Sequence, residues 1–219
     1  MSMRINTNVQ ALQAQRALGN SKNEQSSSLQ KLSSGQRINM AADDAAGLAI
    51  SEKLKSEIVS TSQANRNAGD GISLIQTAEG GLGEVSSLLT RIRELSVQSA
   101  SDTVSEEDRS YTNLEFQSLV SEVDRISKST NFNGTTLLDG ESEDFGLQIG
   151  SQSDPETNQL VINASSLDSS AGGLGIDSDS IDTKDGALAA IDSIDGALQK
   201  INGNRALLGS YQNLSLIHI

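Results

Sequence analysis

Ile75, Ala78, Leu82, Val85, Leu89 and Ile92 fall at alternating intervals of three and four residues. Apolar side chains so spaced form one narrow stripe along a helix, the seam by which one helix packs lengthwise on another. The seam predicts a long helix over about 45–100, and Leu54, Ile58, Ala64, Ala68 and Ile72 continue it upstream as a looser stripe. A first helix is predicted over 5–33, where Val9, Leu12, Leu18, Leu29 and Leu32 stand among Gln, Asn and Ser. That stripe is too sparse for a helix to persist alone in water, so this helix needs a partner. A third helix is predicted over 105–129. Ser105 followed by Glu106, Glu107 and Asp108 is a helix-start signal, and Phe116, Leu119, Val123 and Ile126 repeat the spacing. The short link at Ser101–Val104 makes helices two and three antiparallel. A last helix is predicted over 184–212, with Leu188, Ile191, Ile194, Leu198, Ile201 and Leu208 on one face. Gly80, Gly81 and Gly83 each weaken the long helix by about 1 kcal/mol against Ala, and are read as places of close helix approach.

Between the third and last helices the period changes. Asn133-Gly134 is a turn signal. Phe145, Leu147 and Ile149 alternate with polar or small residues, and Leu160-Val161-Ile162 is a short apolar run. Ser151–Asn158, with the only proline, Pro155, reads as the hairpin loop between them. A small β element is therefore predicted over about 133–163. Residues 165–183, rich in Ser, Asp and Gly, read as a flexible acidic linker. The fold class is mainly α: a long antiparallel helical hairpin or coiled-coil rod carrying a small β-hairpin.

Composition narrows the function. With 29 acidic and 16 basic residues the formal net charge is −13. That opposes a nucleic-acid binder, which needs clustered cations to displace counterions, and opposes an anionic membrane surface. Aromatics are 2% of residues with no Trp, so aliphatic stripes must carry the packing. There is no Cys and hence no disulfide or thiolate metal site, and no apolar run of signal-peptide or membrane-spanning length. The one histidine, His218, lies in the terminal stretch Leu214–Ile219, which does not read as native sequence, so it supports neither a catalytic triad nor a metal site. Gly80-Gly81-Leu82-Gly83 lacks the Lys-Ser/Thr of a phosphate loop. Asp177, Asp179, Asp182 and Asp185 lack the glycine and bidentate Glu of a calcium loop. No cofactor, metal or enzymatic activity is expected.

The most specific stretch is residues 33–50, SSGQRINMAADDAAGLAI. A polar turn leads through Arg37, Ile38 and Asn39 to Asp43-Asp44, which can cap the following helix. This segment resembles the signature of bacterial flagellins that joins the inner tube of filament helices to the outer layer. Met3-Arg4-Ile5-Asn6-Thr7-Asn8, the run Arg91–Ala100, Asn131-Phe132-Asn133-Gly134, Ile201–Ala206 and Leu208–Asn213 also resemble flagellin blocks, in family order. The resemblance implies a flagellin D0/D1-like fold, with residues 1–44 as a D0-like helix and spoke and 45–213 as a D1-like rod. It implies a structural subunit that self-assembles into the flagellar filament for motility, exported through the flagellar type III channel and located outside the cell. The implied partners are other flagellin subunits, an export chaperone, and cap and junction proteins.

In flagellins, positions matching Arg91, Leu95 and Glu115 contact the Toll-like receptor that senses flagellin, and their surroundings pack between protofilaments. The same three residues are therefore candidate contact residues here. A hook–filament junction protein is the alternative, but such proteins diverge through the Arg91–Ala100 block. A generic coiled-coil adaptor would explain the seam and not the ordered motifs. The likeness stops after Asn213. Leu214–Ile219 matches the translation of a transposase mosaic-end sequencing adapter and reads as adapter-derived rather than native, so the chain as given is expected not to polymerise for want of the family's C-terminal helix.

Overall fold

The computed structural model describes residues 8–218, with side chains through Ile217. Met3–Thr7 of the N-terminal motif, and the first residues of the predicted helix 5–33, lie outside the described residues. The chain divides into two compact units, Met1–Val59 and Ser60–Ile219. That division lies fifteen residues beyond the expected boundary at 44/45, because one helix runs through it unbroken.

In the first unit, α1 spans Val9–Ser34. Asn8 caps it by accepting the Ala11 N–H at 3.1 Å, and Gly35, at φ 68°, ends it in the left-handed conformation that glycine adopts without steric cost. α1 contains no buried residue; Val9, Leu12, Leu18, Leu29 and Leu32 are all exposed. After a loop, α2 begins at Ala45 and runs to Ser99. At 1.5 Å per residue its 55 residues extend for about 80 Å.

In the second unit, α3 (Glu106–Ser129) returns antiparallel to α2, capped by Ser105, whose hydroxyl accepts the Asp108 N–H. β1 (Asn131–Phe132) and β2 (Thr135–Thr136) form a two-residue-per-strand hairpin closed by Asn133 (φ 51°) and Gly134 (φ 83°). β3 (Phe145–Gln148) pairs antiparallel with β4 (Gln159–Ile162) in the register Phe145↔Ile162 and Leu147↔Leu160. Between them a single turn, α4 (Pro155–Asn158), holds Pro155 at its start, where no backbone N–H is needed. α6 (Lys184–His218) runs antiparallel to α2 and continues helically through Leu214.

The core is one aliphatic cluster. Phe116, Val120 and Val123 of α3 and Ile194, Ile201 and Leu208 of α6 pack with the α2 seam, joined by Leu137 and Leu138 after β2. Three sequence expectations are corrected. Residues 165–183 are not a flexible linker: a 3₁₀ turn (Ala164–Leu167) and α5 (Ala171–Leu174) fold them down, with Leu167, Leu174, Ile176 and Ile181 buried. These residues, with Ala171, suffice to dock the otherwise polar segment. On α6 the buried stripe runs through Ala187, Ala190, Ile194, Ala197 and Ile201, while Leu188 is exposed. Ile194, Ile201 and Leu208 are buried as the stripe predicts, and the alanines, which a leucine-based reading passes over, complete the seam where small side chains let helices approach closely. Of the three glycines, only Gly81 marks close approach. A Cβ there would lie 2.7 Å from Thr130 Oγ1 and 2.8 Å from Leu138 Cδ1, whereas at Gly80 and Gly83 it would meet nothing within 4 Å.

Candidate functional site

Ile75, Ala78, Leu82, Val85, Leu89 and Ile92 all have 0% exposure. Fully burying one large aliphatic side chain is worth roughly 1.5–3 kcal/mol before entropy, so this row holds the second unit together. Across the surface of the same interface, polar residues set the register of α6 on α2. Lys184 Nζ lies 2.7 Å from Asp102, Arg93 Nε 2.6 Å from Asp195 Oδ1, and Arg205 Nη2 3.8 Å from Glu79. The Lys184 ammonium holds the Asp102 carboxyl below the ordinary aspartate value, and Arg93 does the same to Asp195.

At the junction of α2 and α3 sits Arg109, 8% exposed. Its guanidinium donates to the Ser99 carbonyl at 2.8 Å and the Ser101 carbonyl at 2.9 Å. The Ser99 carbonyl is a free acceptor at the negative end of α2, where a cation is favoured; the Ser101 carbonyl, two residues further on, also accepts the Val104 N–H at 3.3 Å. Nothing in the local sequence marks Arg109 out; only its ten-residue reach back across a turn shows the role.

The 37–44 loop is organised by its two aspartates in different ways. Asp43 Oδ2 accepts from the backbone N–H groups of Asn39 and Met40, both at 3.3 Å, while Oδ1 meets Lys31 Nζ at 2.9 Å. The hydrogen bond from Lys31, then that from the Asn39 amide, holds the Asp43 carboxyl below its usual value. Asp44 Oδ1 instead caps α2 by accepting the Gly47 N–H at 2.9 Å. Ile38 Cδ1 lies where a Cβ on Gly47 would stand, 2.9 Å away, so the loop folds back on the first turn of α2. The Ser34 hydroxyl donates to Asn39 Oδ1 at 2.9 Å. Arg37 is exposed.

On the outer face of α2, Arg91 Nη2 pairs with Glu115 Oε1 of α3 at 2.9 Å and Nη1 with Glu94 at 3.0 Å. Glu115 first, then Glu94, raises the Arg91 pKa. Leu95 does not join this face. It is 2% exposed and lies in the core cluster, because it stands one heptad step from Leu88 and three residues past Ile92, on the buried stripe. The surface group is Arg91, Glu94 and Glu115, with Leu95 as packing beneath it.

Among the described residues no group of three or more His, Cys, Asp or Glu side chains is placed to hold a metal ion. No described helix is long and apolar enough to cross a membrane. The arrangement offers packed helices, capped ends and paired surface charges.

The profile of the bacterial flagellin N-terminal helical region matches residues 5–143, well over half of the chain. This chain belongs to the bacterial flagellin family. A flagellin of Halalkalibacterium halodurans is 45% identical over 212 residues, covering 96% of this chain and 76% of that protein. The 33 kDa flagellar filament core protein of Treponema phagedenis is 42% identical over 222 residues, covering 96% and 78%. The crystal structure of Bacillus cereus flagellin superposes with a TM-score of 0.60 at 31% identity, over 69% of this chain and 85% of that one. A flagellar hook-associated protein structure from Vibrio parahaemolyticus matches with a TM-score of 0.63 but 15% identity, over 82% and 92%, and shares the fold alone. This flagellin is thus a structural subunit of the bacterial flagellar filament, the reading that its relatives favour over a junction protein.

Proposed function

We propose that the subunit joins the filament by burying the stripe of α1 against neighbouring subunits, outside the cell. The observation that carries this is a helix of 26 residues with none buried, and with Leu12, Leu18, Leu29 and Leu32 all open to solvent. A polar helix of that kind is marginal in isolation and gains its stability from contact. Covering each leucine would contribute roughly 1.5–3 kcal/mol before entropy. The Lys31–Asp43 pair and the Asp43 amide bonds then serve as the spoke that directs α1 out of the loop, with Arg37, Ile38, Asn39 and Asp44 completing it. Residues 1–44 act as the inner assembly arm and 45–213 as the rod. In this reading an export chaperone covers the same stripe before secretion, and cap and junction proteins meet the ends of the filament. Arg91 and Glu115 form a lateral contact between protofilaments and, on encounter with an animal host, a contact for the Toll-like receptor.

The test places Leu29→Asp in the chromosomal flagellin gene of a flagellated cell, whose unsubstituted product builds filament. The expected result is secreted, folded subunit in the medium with little sheared filament on the cells. Filament yield and swimming equal to those of the unsubstituted protein would remove the proposal.

A further inference from the structure

The chain holds two Asn-Gly pairs, Asn133-Gly134 and Asn202-Gly203, and all four residues are exposed. Their backbones differ completely. Gly203 lies inside α6, where its N–H is held in the helical ladder. Gly134 is the second residue of a two-residue hairpin turn, with Asn133 at φ 51° and Gly134 at φ 83°, the pattern of a type I′ turn. Among the described residues its N–H donates to no acceptor outside the hairpin's own ladder, and nothing lies within 4 Å of where a Cβ would stand. The hairpin has only two residue pairs, Asn131↔Thr136 and Phe132↔Thr135. Ladders that short open locally at small cost.

We propose that Asn133 is a self-modifying site that converts to isoaspartate. When the turn opens, the Gly134 amide nitrogen attacks the side-chain carbonyl carbon of Asn133. The new N–C bond closes a five-membered succinimide, and the side-chain nitrogen leaves as ammonia, carrying the proton lost from the Gly134 amide. Water then opens the ring. Its hydroxyl adds to one of the two ring carbonyls and its proton returns to nitrogen. Attack at the former side-chain carbonyl gives aspartate; attack at the main-chain carbonyl gives isoaspartate, whose main chain runs through the β-carbon. Glycine as the attacking residue leaves no Cβ in the path.

The product acts on the fold through register. An extra main-chain atom cannot be held in a two-residue turn without moving the Phe132↔Thr135 pair. Directly after β2, Leu137 and Leu138 enter the core at 1% and 0% exposure, and the Leu137 N–H donates to the Thr130 carbonyl at 3.0 Å. Leu138 is the side chain that meets α2 at Gly81. The modification therefore sits at the lip of the contact between α2 and α3, and adds a negative charge there.

The full chain is incubated at mildly alkaline pH and 37 °C. Proteolytic peptides are sequenced by mass spectrometry, and isoaspartate is counted by labelling with an isoaspartyl methyltransferase and labelled methyl donor. Asn133 is expected to convert about tenfold or more faster than Asn202 in the folded protein, because hairpin opening costs less than opening mid-helix. In denaturant the two rates should converge. Asn133→Gly keeps a residue suited to the turn and should abolish labelling at this position; after equal ageing it should melt higher than the unsubstituted protein. An unchanged Asn133 in the folded protein, or conversion of Asn202 at an equal rate, overturns the proposal.

Discussion

Arg93 and Asp195 stand 102 residues apart in sequence and meet with Nε 2.6 Å from Oδ1 and Nη2 3.2 Å from Oδ2. The two-point contact ties α2 near its C-terminal end to the first third of α6, and Asp102–Lys184 repeats the tie just past the end of α2. Both carboxyls titrate below the ordinary aspartate value of 3.8 because their cationic partners hold the charged form. A carboxyl whose pKa is lower folded than unfolded contributes stability above its unfolded pKa. That contribution is lost as pH falls through the folded value. Thermal melts should therefore lose stability below pH 3.8 more steeply for the native protein than for Asp195→Asn. Parallel curves for the two would show that this pair contributes nothing.

Gly80 and Gly81 make a test of packing against propensity. Ala at Gly80 meets open space and should gain up to about 1 kcal/mol of helix stability. Ala at Gly81 drives its Cβ into Thr130 and Leu138. Thr130 is held by its hydroxyl bond to the Ile126 carbonyl at 2.8 Å, and Leu138 is fully buried. Overpacking of this kind costs about 1–3 kcal/mol, more than the propensity gain. Chemical denaturation should place Gly80→Ala above the native protein and Gly81→Ala below it. Equal shifts would contradict the close approach of α2 to this corner.

Removing the Arg109 guanidinium takes the side-chain donor from the Ser99 carbonyl and leaves the Ser101 carbonyl with the Val104 N–H alone. Hydrogen bonds from a charged group contribute about 1.5–3 kcal/mol. Arg109→Ala should lower unfolding free energy by that order, and amide exchange should rise first in the last turn of α2. A variant with native stability and unchanged exchange would show that water replaces the cap.

Arg91 lies on the outer face and Leu95 beneath it, so their variants should separate. Arg91→Ala is expected to weaken Toll-like receptor signalling while leaving the melting temperature nearly unchanged, as surface ion pairs contribute little. Leu95→Ala should instead destabilise the rod by about 2–5 kcal/mol, the range for truncating a buried leucine. Undiminished signalling by Arg91→Ala would remove the proposed receptor contact.

Much of the architecture was legible in the order of the residues. The three-four spacing from Ile75 to Ile92 marks a helix face because helical periodicity is local. Ser105 with its acidic followers announces α3 for the same reason, and Asn133-Gly134 announces a turn. The ordered motifs carried the family. The site was less legible. Leu95 looked like a companion of Arg91 in a surface motif, yet a residue four positions on lies about 40° further round the helix, enough here to turn it inward. The segment 165–183 looked flexible because most of its residues are polar, and its five buried apolar side chains join a core built from parts of the chain far away in sequence.

What this sequence determined by itself is the four long helices, the apolar stripe of α2 and the Ser105 start of α3, since backbone hydrogen bonding and 3.6-residue periodicity act over a few residues. Tertiary structure alone decided which glycine is pressed against a neighbour, that Ala187, Ala190 and Ala197 join Ile194, Ile201 and Leu208 on the buried face of α6, and that Arg109 and Arg93 reach the groups they hold. Those outcomes depend on where the chain returns in space, and a returning helix is invisible in the spacing of the one it meets.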